Sequence, residues 1–179
     1  MLDNAGIVYE AIPSHVDEGA IKSGRTDPME IAQDLAMAKA LAVSRDRPGA
    51  WVIGSDSVVS VAGHLFDKPA DRDRAAEHLR HFSGRTIQLT SAVALAVDGA
   101  ADWKHGETAT LNVRALSDEF IEDYLAAEWP EVGYCVGVFR LEGLGVQLFE
   151  RIEGDYFSIL GMPLLPLLGA LRDRKVIMS

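Results

Sequence analysis

Strand-like and helix-like stretches alternate along the whole chain, and that alternation is the strongest limit on its fold: it points to α/β architecture. Ile7–Ile12 reads as a strand. Asp27-Pro28-Met29-Glu30 supplies an N-cap, a proline at the first helical position and a glutamate able to bond back, so a helix runs from there to about Ser44. Trp51–Ile53 is a short apolar run ending at Gly54; Val58, Val59 and Val61 resume it beyond Ser55-Asp56-Ser57, and Gly63-His64 turns a hairpin. A second helix spans Asp71 to Phe82, with Ala75, Leu79 and Phe82 on one face, and stops at Ser83-Gly84. Thr86–Val97 and Ala109–Ala115 read as strands joined across Asp98-Gly99. Ser117 caps a third helix through about Ala127. Val136–Leu141 and Val146–Ile152 are paired strand candidates, and a last helix starts near Pro163 and ends by Arg172.

The first six residues, Met1 to Gly6, have the pattern of the last turn of a helix with glycine just past its end. A lone final turn has little to nucleate or pack against. Two readings stand: a frayed terminus, or a helix whose start, with a preceding strand, is absent from this chain.

At 179 residues the chain fits one domain with an ample core, and no repeat or linker divides it. Its 27 Asp and Glu outnumber 17 Lys and Arg, for a net charge of −10. That balance, without any basic block, argues against a polymeric nucleic acid but leaves open a small anionic ligand held by a few placed cations. No run approaches the ~18 apolar residues of a membrane span, and no signal-peptide pattern opens the chain, so a cytoplasmic protein with no membrane partner is expected. The single cysteine, Cys135, has neither a disulfide partner nor a Cys–His context. Gly143-Leu144-Gly145 lacks the third glycine of a dinucleotide loop. The five histidines show no metal spacing, and His78 and His81 read as surface residues.

Lysine is scarce, which makes two positions conspicuous. Lys39 falls inside the apolar arc of Ile31, Ala32, Leu35, Ala42 and Val43. Such a lysine must snorkel, pair with a carboxylate or line a polar cavity; periodicity alone favours snorkelling at the stripe edge. Lys68, in Asp67-Lys68-Pro69, stands just before a helix, where a solvated loop is the ordinary reading. Asp56 interrupts two Val/Ile-rich runs. It is either a turn aspartate or a carboxylate at a strand end that binds a divalent cation or takes a proton from water. Ser14, Asp17 and Glu18 follow the first strand; their carboxylates are a solvated loop or a second contribution to a cation site. Glu142 is a strand-end charge on the same footing.

Taken in order, Ile12-Pro13-Ser14-His15-Val16-Asp17-Glu18, Leu35–Ala40, Val52–Val59, Asp67-Lys68-Pro69, Leu79 to Arg85, Gly143–Val146 and Ile152–Pro163 resemble the Maf family over nearly the whole chain. The resemblance implies an α/β fold with a curved mixed sheet, flanking helices and two lobes around a central cleft. It implies a nucleoside triphosphate pyrophosphatase that releases NMP and diphosphate with a divalent cation (Mg, Mn or Co), often as a homodimer. The family's proton-accepting aspartate matches Asp56, its conserved lysines match Lys39 and Lys68, and its acidic position after the first strand matches Asp17. With Ser14 as a substrate contact, the implied metal set is Asp56, Asp17 and Glu18. Glu142 stands where pyrimidine-preferring members carry Gln and resembles the branch acting on 7-methyl-GTP. A carboxylate accepts from the guanine N1–H and N2–H₂ edge and favours the methylated base's positive charge. The family's N-terminal strand and phosphate-binding loop have no counterpart, so the chain reads as a single domain over 1–179 that lacks them. A non-catalytic nucleotide-binding or cell-division regulatory protein is the alternative.

Overall fold

A computed structural model describes residues 1–178. Side-chain caps start most of the helices. Asp17 caps α1 (Glu18–Lys22), Asp27 caps α2 (Pro28–Ser44), Asp71 caps α3 (Arg72–Phe82) and Ser117 caps α4 (Asp118–Glu128). In each, a side-chain oxygen accepts from a first-turn N–H that has no intrahelical partner. Asp155 does the same for the short α5 (Tyr156–Ile159), while α6 (Leu164–Asp173) follows Pro163.

Five strands form one open sheet: β1 (Val52–Val61), β2 (His64–Phe66), β3 (Thr86–Val97), β4 (Ala100–Val113) and β5 (Phe149–Glu153), in the order β2-β1-β3-β4-β5. The β1–β2 and β4–β5 pairs are antiparallel. The β3–β4 hairpin turns on Asp98 and Gly99 at φ 50° and 73°, the left-handed pair that a two-residue connection needs to match strand twist. A single sheet with helices flanking it is the α/β architecture that the sequence predicts.

Three expectations are corrected. Asp56 is not in a turn: β1 runs unbroken through Gly54–Ser57. Ile7–Ile12 forms no strand, and Val8 lies almost fully exposed with Tyr9 half so. Val136–Leu141 and Val146–Ile152 are not a strand pair; the chain coils through 3-10 turns at Glu131–Tyr134 and Leu144–Leu148 before β5. Its path there is too tight for a ladder, since a Cβ on Gly145 would meet the Arg140 backbone at 2.5 Å. His78 and His81 are also not simply surface residues. Their rings pack on Phe66 with centroids 5.3 and 5.1 Å away, because β2 returns that ring over α3.

The chain forms two compact units, and β1, β3 and β4 each contribute to both. The first comprises Met1–Ser57, Ser91–Glu107 and the chain from Asp155 onward. Its core gathers Val93 and Leu95 of β3 with Leu164, Leu167 and Leu171 of α6, joined by Leu2. The second comprises Val58–Thr90 and Thr108–Gly154. There Leu79 and Phe82 of α3, Ile87, Leu111, and Ile121 and Leu125 of α4 are buried. Arg72 and Arg80 of α3 pair with Glu122 and Asp118 of α4 at the rim.

Candidate active site

The site in the first unit begins with a close approach of backbone to backbone. A Cβ on Gly54 would stand 2.2 Å from the Ala36 carbonyl oxygen and 2.7 Å from the Ala40 nitrogen. Only glycine lets α2 lie directly on β1 there. The contact brackets Lys39 in sequence and sets it over the strand two residues before Asp56. Of the predicted apolar arc of α2, Ile31, Ala32 and Leu35 are at zero exposure, whereas Ala42 and Val43 are half-buried; Ala36 and Ala40 complete the buried face instead.

Lys39 does not snorkel. Its ammonium lies 2.5 Å from Asp56 Oδ1 and 2.7 Å from Glu18 Oε1. The Lys39 side chain is 23% exposed and that of Asp56 12%, so the pair is largely shielded from water. Burial works against the ammonium, but the hydrogen bonds to Asp56 and Glu18 outweigh it and hold the Lys39 pKa above its ordinary value. Burial also pushes the Asp56 carboxyl up. Lys39 opposes that shift without cancelling it, because the ammonium is shared with Glu18, whose negative charge adds to the rise. Sharing one lysine between two carboxylates thus leaves Asp56 more proton-retentive than a free aspartate. Lys22, 3.8 Å from Glu18, adds a second cation on α1.

Beneath Asp56, the Ser57 hydroxyl shares a 2.7 Å hydrogen bond with Ser91 of β3 and lies 3.5 Å from the Gly161 carbonyl. The turn after α5 is tied in through Ser158, fully buried, which donates to Glu107 at 2.5 Å. Neither contact was drawn from the sequence.

Asp17 caps α1, its carboxylate accepting from Ala20 N at 3.1 Å, so the acidic residue pointing at Lys39 is its neighbour Glu18. Ser14 lines the same cavity wall as Lys39. Among the described residues no group of three His, Cys, Asp or Glu side chains stands as a ready metal cage. Asp56 and Glu18 supply hard oxygen donors, and a small divalent ion that keeps its waters and takes one or two protein carboxylates plus substrate oxygens fits such a pair.

Lys68 and Glu142 belong to the second unit. Both are exposed and both act on the Cys135 thiol, together with Arg140 and Glu131, so they share one neighbourhood. Burial pushes that thiol up, which removes it further from nucleophilic chemistry.

The main residue the sequence reading missed is Glu128, at the end of α4 and 7% exposed. Its Oε1 accepts from Leu144 N at 3.0 Å and its Oε2 from Arg140 Nη2 at 2.9 Å. The Leu144 N–H, with Arg140 beside it, holds its carboxyl below the usual range. Glu128 therefore ties down both flanks of the turn carrying Glu142. It extends the Ile121, Tyr124, Leu125 face at helical spacing, the same signal that marked Lys39.

The family profile described as Maf-like protein matches residues 1–174. A nucleoside triphosphate pyrophosphatase of Nitrobacter hamburgensis is 49% identical, over 99% of this chain and 89% of its own length. A 7-methyl-GTP pyrophosphatase of Mesorhizobium japonicum is 47% identical, over 96% of this chain and 88% of its own. Another of that name from Brucella suis is 46% identical, over 99% and 91%.

Proposed function

Because the chain belongs to the Maf-like protein family, we propose that it hydrolyses a nucleoside triphosphate to the monophosphate and diphosphate, preferring a guanine base methylated at N7. The observation that carries this reading is the shielded Lys39 between Asp56 and Glu18. Water attacks the α-phosphorus; its oxygen forms the new P–O bond as the bond to the bridging oxygen breaks and diphosphate departs. Asp56 takes the proton from that water. Its raised pKa brings the base closer to the operating pH, where general-base catalysis is most effective. Lys39 gives up its carboxylates to meet the charge that grows on the phosphate oxygens, and Lys68 serves the same charge. A divalent cation held by Asp56 and Glu18, with Asp17 as the further acidic position, would supply Lewis-acid stabilisation of the phosphates. Glu142 reads the base edge, on a turn steadied by Glu128 and Arg140. We place the reaction in the cytoplasm, on a homodimer. Among the described residues no helix is long and apolar enough to cross a membrane.

The test is turnover in H₂¹⁸O with phosphorus NMR of the products. Label in the monophosphate supports attack at the α-phosphorus; label in the diphosphate, or release of orthophosphate, removes the reading.

A further inference from the structure

Asp56 stands one residue from the place where its strand leaves the first unit, so little of that unit lies beyond it to hold it. β1 leaves after Ser57, β3 enters at Ser91, β4 leaves after Glu107, and the chain returns at Asp155. All four of these rim residues take part in side-chain hydrogen bonds within the unit. Ser57 and Ser91 share one at 2.7 Å, and the Ser158 hydroxyl donates to Glu107 at 2.5 Å with Asp155 at 3.2 Å. Ser91 is 0% and Ser158 1% exposed, so water cannot stand in for either bond.

The two pairs meet at Gly161. Its N–H donates to the Ser158 carbonyl at 3.1 Å, and its own carbonyl faces the Ser57 hydroxyl at 3.5 Å. A carbonyl only accepts, so Ser57 is the donor there and its oxygen accepts from Ser91. Gly161 holds φ 108°, a conformation that residues with a side chain rarely adopt, and a Cβ on it would stand 3.6 Å from Ser57 Oγ. At the other end, Glu107 is fixed through its second oxygen, 3.1 Å from His105 Nε2, and His105 stacks flat on Trp103. Contacts therefore run without a gap from Glu107 through Ser158 and Gly161 to Ser57. Successive side chains of a strand point to opposite faces, so a bond on Ser57 fixes the backbone behind Asp56 without occupying its carboxylate.

We propose that Glu107 and Ser158 are positioning residues for hydrolysis: they hold Gly161 and, through the Ser57 hydroxyl, the stretch of β1 that sets Asp56 against Lys39. The proposal rests on the pyrophosphatase reading, in which Asp56 accepts the proton of the attacking water. Both residues act through Gly161, without contact to the reacting atoms. Removing the Ser158–Glu107 bond frees the turn, and Ser57 loses its carbonyl. Asp56 then drifts from the 2.5 Å at which it now meets Lys39. The loss falls on the chemical step and leaves nucleotide binding in place.

The experiment measures kcat and KM for diphosphate release, with a thermal melt of each protein. Ser158→Ala and Glu107→Leu are each expected to lower kcat by on the order of 10- to 100-fold, with KM within about twofold of the parent, the cost of a small displacement among catalytic groups. Ser158→Thr keeps the hydroxyl and should recover most of the rate. Because the two residues act in series, the double variant should fall no further than the worse single one. Ser44→Ala is the control. It removes an equally buried hydroxyl, bonded to Gly99 N in the same unit, and should lower the melting temperature while kcat stays at the parent value. If Ser158→Ala does not fold, Glu107→Leu, at a partly exposed position, removes the same bond and decides alone. Parental kcat in the two single variants overturns the proposal, and so does a loss confined to KM. Additive losses in the double variant, no recovery in Ser158→Thr, or an equal loss of kcat in Ser44→Ala reduce the contacts to ordinary stability and overturn it too. A parent that releases no diphosphate removes the pyrophosphatase reading and this proposal with it, whereas an active parent with unaffected variants removes the proposal alone.

Discussion

Replacing Gly54 with alanine puts a Cβ 2.2 Å from the Ala36 carbonyl oxygen and 2.7 Å from the Ala40 nitrogen, both backbone atoms of α2. Neither can rotate away. An ordinary carbon–oxygen contact lies near ~3.3 Å, so α2 must retreat from β1 by about 1 Å. Overpacking of this kind costs about 1–3 kcal/mol, and at about 2–4 °C per kcal/mol for a chain of this size the melting temperature falls by about 2–12 °C. The same retreat carries Lys39 away from Asp56, from which it now stands at 2.5 Å. A displacement of about 1 Å among catalytic groups lowers turnover by on the order of 100-fold. The assay is a thermal melt paired with diphosphate release under saturating nucleotide. A Gly54→Ala protein that melts and turns over like the parent would refute the claim that this backbone contact positions the lysine.

The Asp56 carboxyl, pushed up by burial, must be ionised to take a proton. The acid limb of the turnover profile should therefore lie above the ordinary aspartate pKa, and a limb at or below that value contradicts the assignment. Glu128→Gln weakens the bonds to Leu144 N and Arg140 and should cost about 1–3 kcal/mol near neutrality. Because its carboxyl is lowered in the fold, that contribution is full above the ordinary glutamate pKa and fades as pH falls through the lowered value. Urea melts at pH 7 and pH 3 should thus show parent and variant converging in acid. Glu142→Gln should lower the ratio of 7-methyl-GTP to UTP turnover; an unchanged ratio removes Glu142 from base recognition. Ser158→Ala removes a charge-assisted hydrogen bond to Glu107 and should cost about 1.5–3 kcal/mol in the same melts.

The elements that carry their own local chemistry were legible. The caps at Asp27 and Ser117 and the turn at Asp98-Gly99 define helices and a hairpin from adjacent residues alone, whereas Asp71, read as the first residue of its helix, is its cap. Lys39 was conspicuous because a cation inside an apolar arc needs an explanation, although its escape to solvent looked the commoner fate until the structure supplied two carboxylates. Which of Asp17 and Glu18 faces the lysine was not legible, since one must cap α1 and the choice depends on where the helix starts. Ile7–Ile12 has strand residues, but a strand needs a partner edge, and pairing is a property of distant chain. The coil from Val136 to Leu148 misled for a related reason. Val138 reaches the core from a left-handed position and Leu148 from a 3-10 turn, while Val146 is half exposed, and apolar alternation cannot distinguish that arrangement from a ladder. Gly54 was read as the end of an apolar run, whereas its role is set by a helix that packs on it from elsewhere in the chain.

The central claim is that Asp56, shielded and shared with Lys39, accepts the proton of the attacking water. Its most direct test is single-turnover release of diphosphate by Asp56→Asn, with nucleotide affinity measured on the same protein. The account predicts that release falls by roughly 100- to 10,000-fold, the range of a lost general base, while the nucleotide still binds. Release at the parent rate, from a folded protein that binds nucleotide, would contradict it.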